Sequence, residues 1–222
     1  VKIKSPSREW RKLGTAAVSD ALDRLGILGQ CLGIKPLDRV FCVAGYAFTV
    51  RMGPVGETKG TVGDYIDGVE SGAVVVIDNG GRMDTTVWGD LLTEAAYRQG
   101  VGGTIIYGVC RDSAHSLELG YPIFSLGTHM RTGKGRVQLE GAHVPVALGT
   151  VRINPGDLIV GDADGVVAVP RKREAEVLSV ALRIQKAEDA IRAAIQRGEQ
   201  LVVARRRFGY HELQERSTKP AG

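Results

Sequence analysis

The stretch from Gly89 to Asp112, GDLLTEAAYRQGVGGTIIYGVCRD, constrains this chain more than any other segment. It opens on a helix-start signal, Gly89-Asp90, and runs as an amphipathic helix to about Gln99. A Gly-rich turn follows, then a short buried strand from Thr104 to Tyr107. Upstream, Ala73 to Asp78 (AVVVID) is a continuous apolar run, the pattern of a strand buried on both faces. Strand, helix and strand in this order specify an α/β architecture. In such folds ligands gather at the carboxyl ends of strands and the amino ends of helices. Asp90, then twenty residues, then the Arg111-Asp112 doublet: this spacing brings two carboxylates and a guanidinium toward one crevice. A divalent metal and an anionic substrate would require that arrangement.

The rest of the chain extends the same reading. Thr15 to Leu25 has helical apolar spacing stopped by Gly26, and Phe41 to Val50 is rich in strand formers. Asp64 to Glu70 is a short helix, and Asn79-Gly80-Gly81 is a turn leading to the Asp90 helix. A helical piece from Asp112 to Leu119 precedes a strand from Pro122 to Leu126. Beyond Val144 the pattern becomes short strands and turns: Val146 to Ile153, Leu158 to Gly161 and Val166 to Pro170. Arg171 to Arg197 is a long helix closed by Gly198, with an apolar stripe that docks on its own body or on another subunit. Residues 1–198 therefore form one domain, and 199–222 a basic arm or tail, extended or disordered from about Arg205.

Composition narrows the function classes. No apolar run approaches the roughly 20 residues that span a bilayer, and the start, VKIKSPSREW, has no apolar h-region of a secretory signal. Cys31, Cys42 and Cys110 are odd in number and lack CxxC spacing, as expected of reduced thiols in a cytoplasmic protein. The net charge of +4 comes largely from a late helix face and Arg205-Arg206-Arg207. With aromatics at only 5%, that excess suits solvated surface better than nucleic-acid binding. No GxGxxG or GxxxxGK[ST] pattern is present, so dinucleotide and P-loop readings lack support.

Each candidate residue also has a plain structural role open to it. Asp90 could simply cap its helix, and Arg111-Asp112 could be a surface ion pair worth little. Together they gain meaning, because Gly89 lets a ligand approach the backbone. The N–H groups of Leu91 and Leu92 then cradle a carboxylate at the positive end of the helix. Asp112 offers an oxygen ligand to a hard cation. His115, His129, His143 and His211 lack metal-ligand spacing, Ser113 starts the next helix, and Cys110 belongs to the core. The loops Gly53 to Gly63 and Thr128 to Gly135 would shape the pocket, with Lys59, Arg82 and Arg131 as candidate partners for a distal carboxylate.

VWGDLL (87–92), GGTIIYGVCRD (102–112) and PGDLIVGDADGVVAVP (155–170) together resemble the class II pyruvate aldolases. These enzymes act on 4-hydroxy-4-methyl-2-oxoglutarate and 4-carboxy-4-hydroxy-2-oxoadipate, and their family includes the regulator-of-ribonuclease-activity-A-like (RraA-like) proteins. The resemblance implies a swivelling β/β/α-type single domain, assembled as homotrimers or hexamers with sites between subunits. It implies Mg2+ or Mn2+ held by Asp112, a pyruvyl group contacted by Arg111, and water organised by Asp90. Substrate carboxylate would lie on the backbone of Gly89, Leu91 and Leu92, and a neighbour's Glu188 would complete the shell. Glu174, Glu176 and Asp189 are alternatives to Glu188. The implied activity is retro-aldol cleavage of a 4-hydroxy-2-oxo acid to pyruvate, with oxaloacetate decarboxylation on the side. One departure stands out: Tyr107-Gly108 replaces the aldolases' Asp-Gly, as in the ribonuclease regulators. The alternative reading is accordingly a non-enzymatic, protein-binding regulator of RNA degradation.

Overall fold

The computed structural model describes residue 6 and residues 8–57, 60–210 and 213. Helix α1 (Thr15–Arg24) leads through β1 (Gln30–Cys31) and β2 (Lys35–Pro36) to the long strand β3 (Val43–Pro54). A 3-10 turn at Asp64–Gly68 precedes β4 (Val74–Thr86), α2 (Asp90–Gln99), β5 (Gly103–Cys110), α3 (Ser113–Leu119) and β6 (Ile123–Thr128). Five short strands follow: β7 (Val137–Ala142), β8 (Val146–Leu148), β9 (Val151–Ile153), β10 (Leu158–Asp162) and β11 (Gly165–Val169). The described chain closes with α4 (Glu174–Gln196) and α5 (Leu201–Arg207). The α/β class and the long C-terminal helix are as the sequence led one to expect.

Strands β3, β4, β5 and β6 run parallel, because each is followed by a connection that crosses one face before the next strand begins. Antiparallel strands flank them, giving the order β1-β11-β10-β3-β4-β5-β6-β2, with β7 paired to the far half of β3. Strands β1 and β2 lie at opposite ends of this order, yet only residues 32–34 separate them. Four peptide steps reach at most about 14 Å. The sheet must therefore curl until its two edges nearly meet.

Both faces of the central strands are buried, and side chains alternate between them with the two-residue period. Val74 and Val76 pack inside the curl with Ile105, Phe124, Ile159 and the β8–β9 hairpin. Val75 and Ile77 point the other way, against Trp88, Ala96, Ile106 and Tyr121 beneath α2. A third cluster seats α1 and α4 on β10 and β11 through Val18, Leu22, Val160, Val167 and Val177. Ile106 is fully buried in the layer that supports α2. Ile106→Ala should lower unfolding free energy by about 2–5 kcal/mol, as measured by urea titration.

Three local expectations change. Asn79-Gly80-Gly81 does not leave the strand; it is a bulge within β4, whose register slips between Asp78 and Arg82 and again before Thr86. Gly80 and Gly81 sit at φ 62° and 69°, so the turn chemistry is real but is spent on a bulge. Val146 to Ile153 is two strands folded at Gly149 (φ 64°), not one. Arg205–Arg207 belong to α5, whose Ala204 is buried against Ile191 and Ala194 of α4, so the chain there is helical rather than extended. Residues 211, 212 and 214–222, His211 among them, lie outside the described residues.

Candidate functional site at the carboxyl ends of the central strands

The connection from β4 to α2 and the end of β5 are sewn together by backbone. The Arg111 N–H donates to Trp88 O at 3.0 Å, which fixes the Arg111-Asp112 doublet beside Gly89-Asp90. Trp88 is itself immobilised: its ring stacks on Tyr121 at 6.2 Å, and its Nε1 donates to Thr93 Oγ1 at 2.9 Å. Thr93 Oγ1 in turn donates to Gly89 O at 2.9 Å. A buried aromatic thus sets the backbone from which the polar residues project.

Gly89 is the N-cap of α2, and Asp90 is its first helical residue, one position later than a capping role would place it. Asp90 Oδ1 accepts from the Leu91 N–H at 2.8 Å. That contact corrects one expectation: Leu91 does not present a free N–H while Asp90 folds back on it. Leu92 remains in the first turn, where an N–H has no carbonyl behind it in the helix. Asp112 adopts the left-handed conformation, φ 53° and ψ 38°. That conformation costs most L-residues about 1–2 kcal/mol and Asp rather less. It turns the carboxylate back toward α2, so that Oδ2 lies 3.4 Å from Asp90 N and 3.3 Å from Arg111 Nε.

Gly89 makes this approach possible. A Cβ there would lie 2.8 Å from Asp112 Oδ2 and 3.3 Å from Arg111 Nε. Its own φ of −152° suits any residue, so the requirement is space and not backbone freedom. Gly89→Ala should fold normally yet displace the carboxylate. Any catalysis at this site should fall about 100-fold, the usual cost of an ångström's misplacement; an unaltered rate with unchanged thermal stability would contradict this role.

Two depressions meet at Asp90 and Leu91. One is a cavity of about 440 Å3 lined by Arg111, Gly89, Trp88, Leu92, Asp64 and Lys134, among others. The other opens over Asp112, Glu94, His115 and Glu118. Asp90, Arg111 and Asp112 are therefore brought to one end of the sheet, with Asp112 Oδ2 within hydrogen-bond reach of the Asp90 backbone N and of Arg111 Nε. Arg111, however, lines the first depression, Asp112 the second, and Asp90 both. Among the described residues, no group of three or more His, Cys, Asp or Glu side chains converges as a metal cage. What the chain offers a cation is a pair of carboxylates open to water. That donor set fits Mg2+ or Mn2+, which take one or two carboxylates and keep several waters.

The remaining candidates scatter. Glu188 lies on α4 beside Asp20 of α1 and lines neither depression of its own chain. Partial burial first, and the Asp20 carboxylate next, hold its carboxyl above the usual range. Glu174 accepts from Trp10 Nε1, Tyr46 OH and Arg171 Nη1, and Glu176 pairs with Arg173; both are committed to the base of α4. Arg82 donates to Asn79 O, and Arg131 pairs with Asp84 at 3.6 Å; neither lines the cavity. Lys59 lies outside the described residues. Lys134 was not singled out from the sequence, yet it lines the cavity together with Thr132 and Gly133. Its loop reaches the site because Thr86 bridges Thr132 and takes the Arg131 carbonyl through both N–H and hydroxyl. Cys110 is buried and Ser113 begins α3, as expected.

The family description "RraA-like: Aldolase/RraA" matches residues 15–168. The chain belongs to this family. It is 41% identical over 202 residues to protein DlpA of Legionella pneumophila, covering 89% of this chain but only 33% of that one. The chain thus spans about a third of the length of that relative. A Halalkalibacterium halodurans protein, "Putative 4-hydroxy-4-methyl-2-oxoglutarate aldolase", is 35% identical over 84% of this chain and 87% of its own. A crystal structure of an uncharacterized protein from Pseudomonas syringae pv. tomato superposes with a TM-score of 0.84 at 40% identity, covering 91% of this chain and all of that one. The fold and family of the RraA-like chain are thereby established. No helix among its described residues is long and apolar enough to cross a membrane.

Proposed function

We propose that this RraA-like chain is a class II pyruvate aldolase that cleaves a 4-hydroxy-2-oxo acid to pyruvate and a second oxo acid. The observation that carries the reading is the left-handed Asp112. Its carboxylate is held against the amino end of α2 and beside Arg111, and it lines a depression that meets, at Asp90 and Leu91, the cavity that Arg111 lines. A backbone outlier at a strand end is the sort of strain that functional sites retain. The relative named for 4-hydroxy-4-methyl-2-oxoglutarate supports the substrate class.

Asp112, with Asp90 nearby, would hold Mg2+ or Mn2+. The cation would supply Lewis-acid polarisation of the substrate's 2-keto oxygen. The first turn of α2 binds the substrate carboxylate at its positive end, through the Leu92 N–H. Asp90, through water, accepts the proton of the C4 hydroxyl. The C3–C4 bond then breaks, its electron pair forming the enolate of pyruvate while C4 becomes the new carbonyl. Arg111 stabilises the enolate oxygen as charge develops there. Proton return to C3 completes pyruvate. Oxaloacetate losing CO2 generates the same enolate, so decarboxylation accompanies the aldol activity. Glu188, which lines neither depression of its own chain, would act on a neighbouring copy in a homotrimer or hexamer.

Tyr107, the residue that favoured the regulatory alternative, is accounted for by packing. Its ring lies against Gly81 and near Gly149, where added Cβ atoms would come within 3.2 Å and 3.6 Å of it. Pyruvate release from oxaloacetate and from 4-hydroxy-4-methyl-2-oxoglutarate should require added Mg2+ or Mn2+ and stop with EDTA. Turnover of neither acid under any divalent cation would leave the protein-binding reading in its place.

A further inference from the structure

Asp90 and Asp112 open two different helices, so their separation depends on how α2 and α3 sit against each other. Helix α2 is well anchored through Thr93 and Ala96, both buried. Helix α3 is only seven residues long, and Ser116 is its one buried residue. Apolar packing alone gives it a weak seat. A polar tie is made one turn into each helix: Glu94 Oε2 lies 3.1 Å from His115 Nε2. The His115 N–H also donates to Asp112 O at 3.2 Å, so the residue that grips α2 is bonded to the backbone of the proposed ligand.

We infer that the Glu94–His115 pair is a positioning couple that sets the distance between the Asp90 and Asp112 carboxylates, and so tunes cation affinity without touching the cation. The inference rests on the metal reading of Asp112 given above. It carries a sign that separates it from a plain charge effect. Among the described residues no cluster of three His, Cys, Asp or Glu side chains makes His115 a ligand. An imidazole that does not bind the cation carries either no charge or a positive one, so deleting it would leave cation binding unchanged or strengthen it through space. A strut, when deleted, weakens binding.

Mn2+ alone, titrated calorimetrically into the full chain, tests the couple. His115→Ala and His115→Asn, the latter too short to reach Glu94, should each lose about tenfold in affinity, the lower end of what such supporting residues cost. His115→Gln, which keeps a donor at comparable reach, should recover most of it. In a Glu94→Ala background the His115→Ala loss should disappear, because the partner is already gone. Thermal melting should shift little, since His115 is one-third exposed. If wild-type protein takes up Mn2+ and His115→Ala binds it as well or better, the strut is refuted while the metal reading stands. If wild-type protein takes up no Mn2+, both are overturned.

Discussion

Asp112→Ala should abolish pyruvate release from oxaloacetate, a loss of roughly 1,000-fold or more, because Lewis-acid stabilisation is worth several kcal/mol. Alanine also adopts the left-handed backbone of this position poorly, so the loss could reflect a shifted loop. Asp112→Asn removes that ambiguity. Asparagine tolerates the same conformation and nearly matches the shape, yet lacks the charge that a hard cation demands. Both variants should retain the wild-type melting temperature within a few degrees, because the side chain is 40% exposed and its ion pair with Arg111 is a surface one. Substantial turnover by the Asn variant would mean that this carboxylate does not hold the cation.

Arg111→Lys should reduce kcat by about 100- to 1,000-fold, the range found when a charge-stabilising donor is removed. The charge is conserved in this substitution and the backbone bond to Trp88 O is untouched. What is lost is the planar fork, which can address an enolate oxygen while Nε stays beside Asp112 Oδ2. An ammonium at the end of a flexible stem cannot hold both. Steady-state rates with oxaloacetate, with the metal saturating, provide the measurement. A KM increase with unchanged kcat would demote Arg111 to ground-state binding.

Local pattern specified much of the molecule. The continuous burial of Val74 to Ile77 on both faces and the 3.6-residue period of α2 were legible, and with them the α/β class and the arrival of Asp90, Arg111 and Asp112 at one end of the sheet. These features depend on residues within one strand–helix–strand unit, whose geometry is nearly fixed by hydrogen bonding and side-chain period. The Asn79-Gly80-Gly81 bulge was misread as an exit because positive-φ chemistry is the same in a turn and in a bulge. Only pairing with β5 distinguishes them. Helix α5 was hidden by its arginines, since its seat is a single small residue, Ala204, against α4.

The sequence alone thus determined that Asp90, Arg111 and Asp112 would meet at one end of the sheet. Tertiary structure alone decided the rest: that Lys134 lines the cavity, that Arg82 and Arg131 do not, that Leu91's N–H is occupied by Asp90, and that Glu188 faces Asp20. The bonds of Leu91 to Asp90 and of Arg82 to Asn79 are local, one and three residues away; the others rest on contacts between segments far apart in the chain. Such contacts are set by how the sheet curls and where loops are pinned to strand ends, and no local periodicity encodes them.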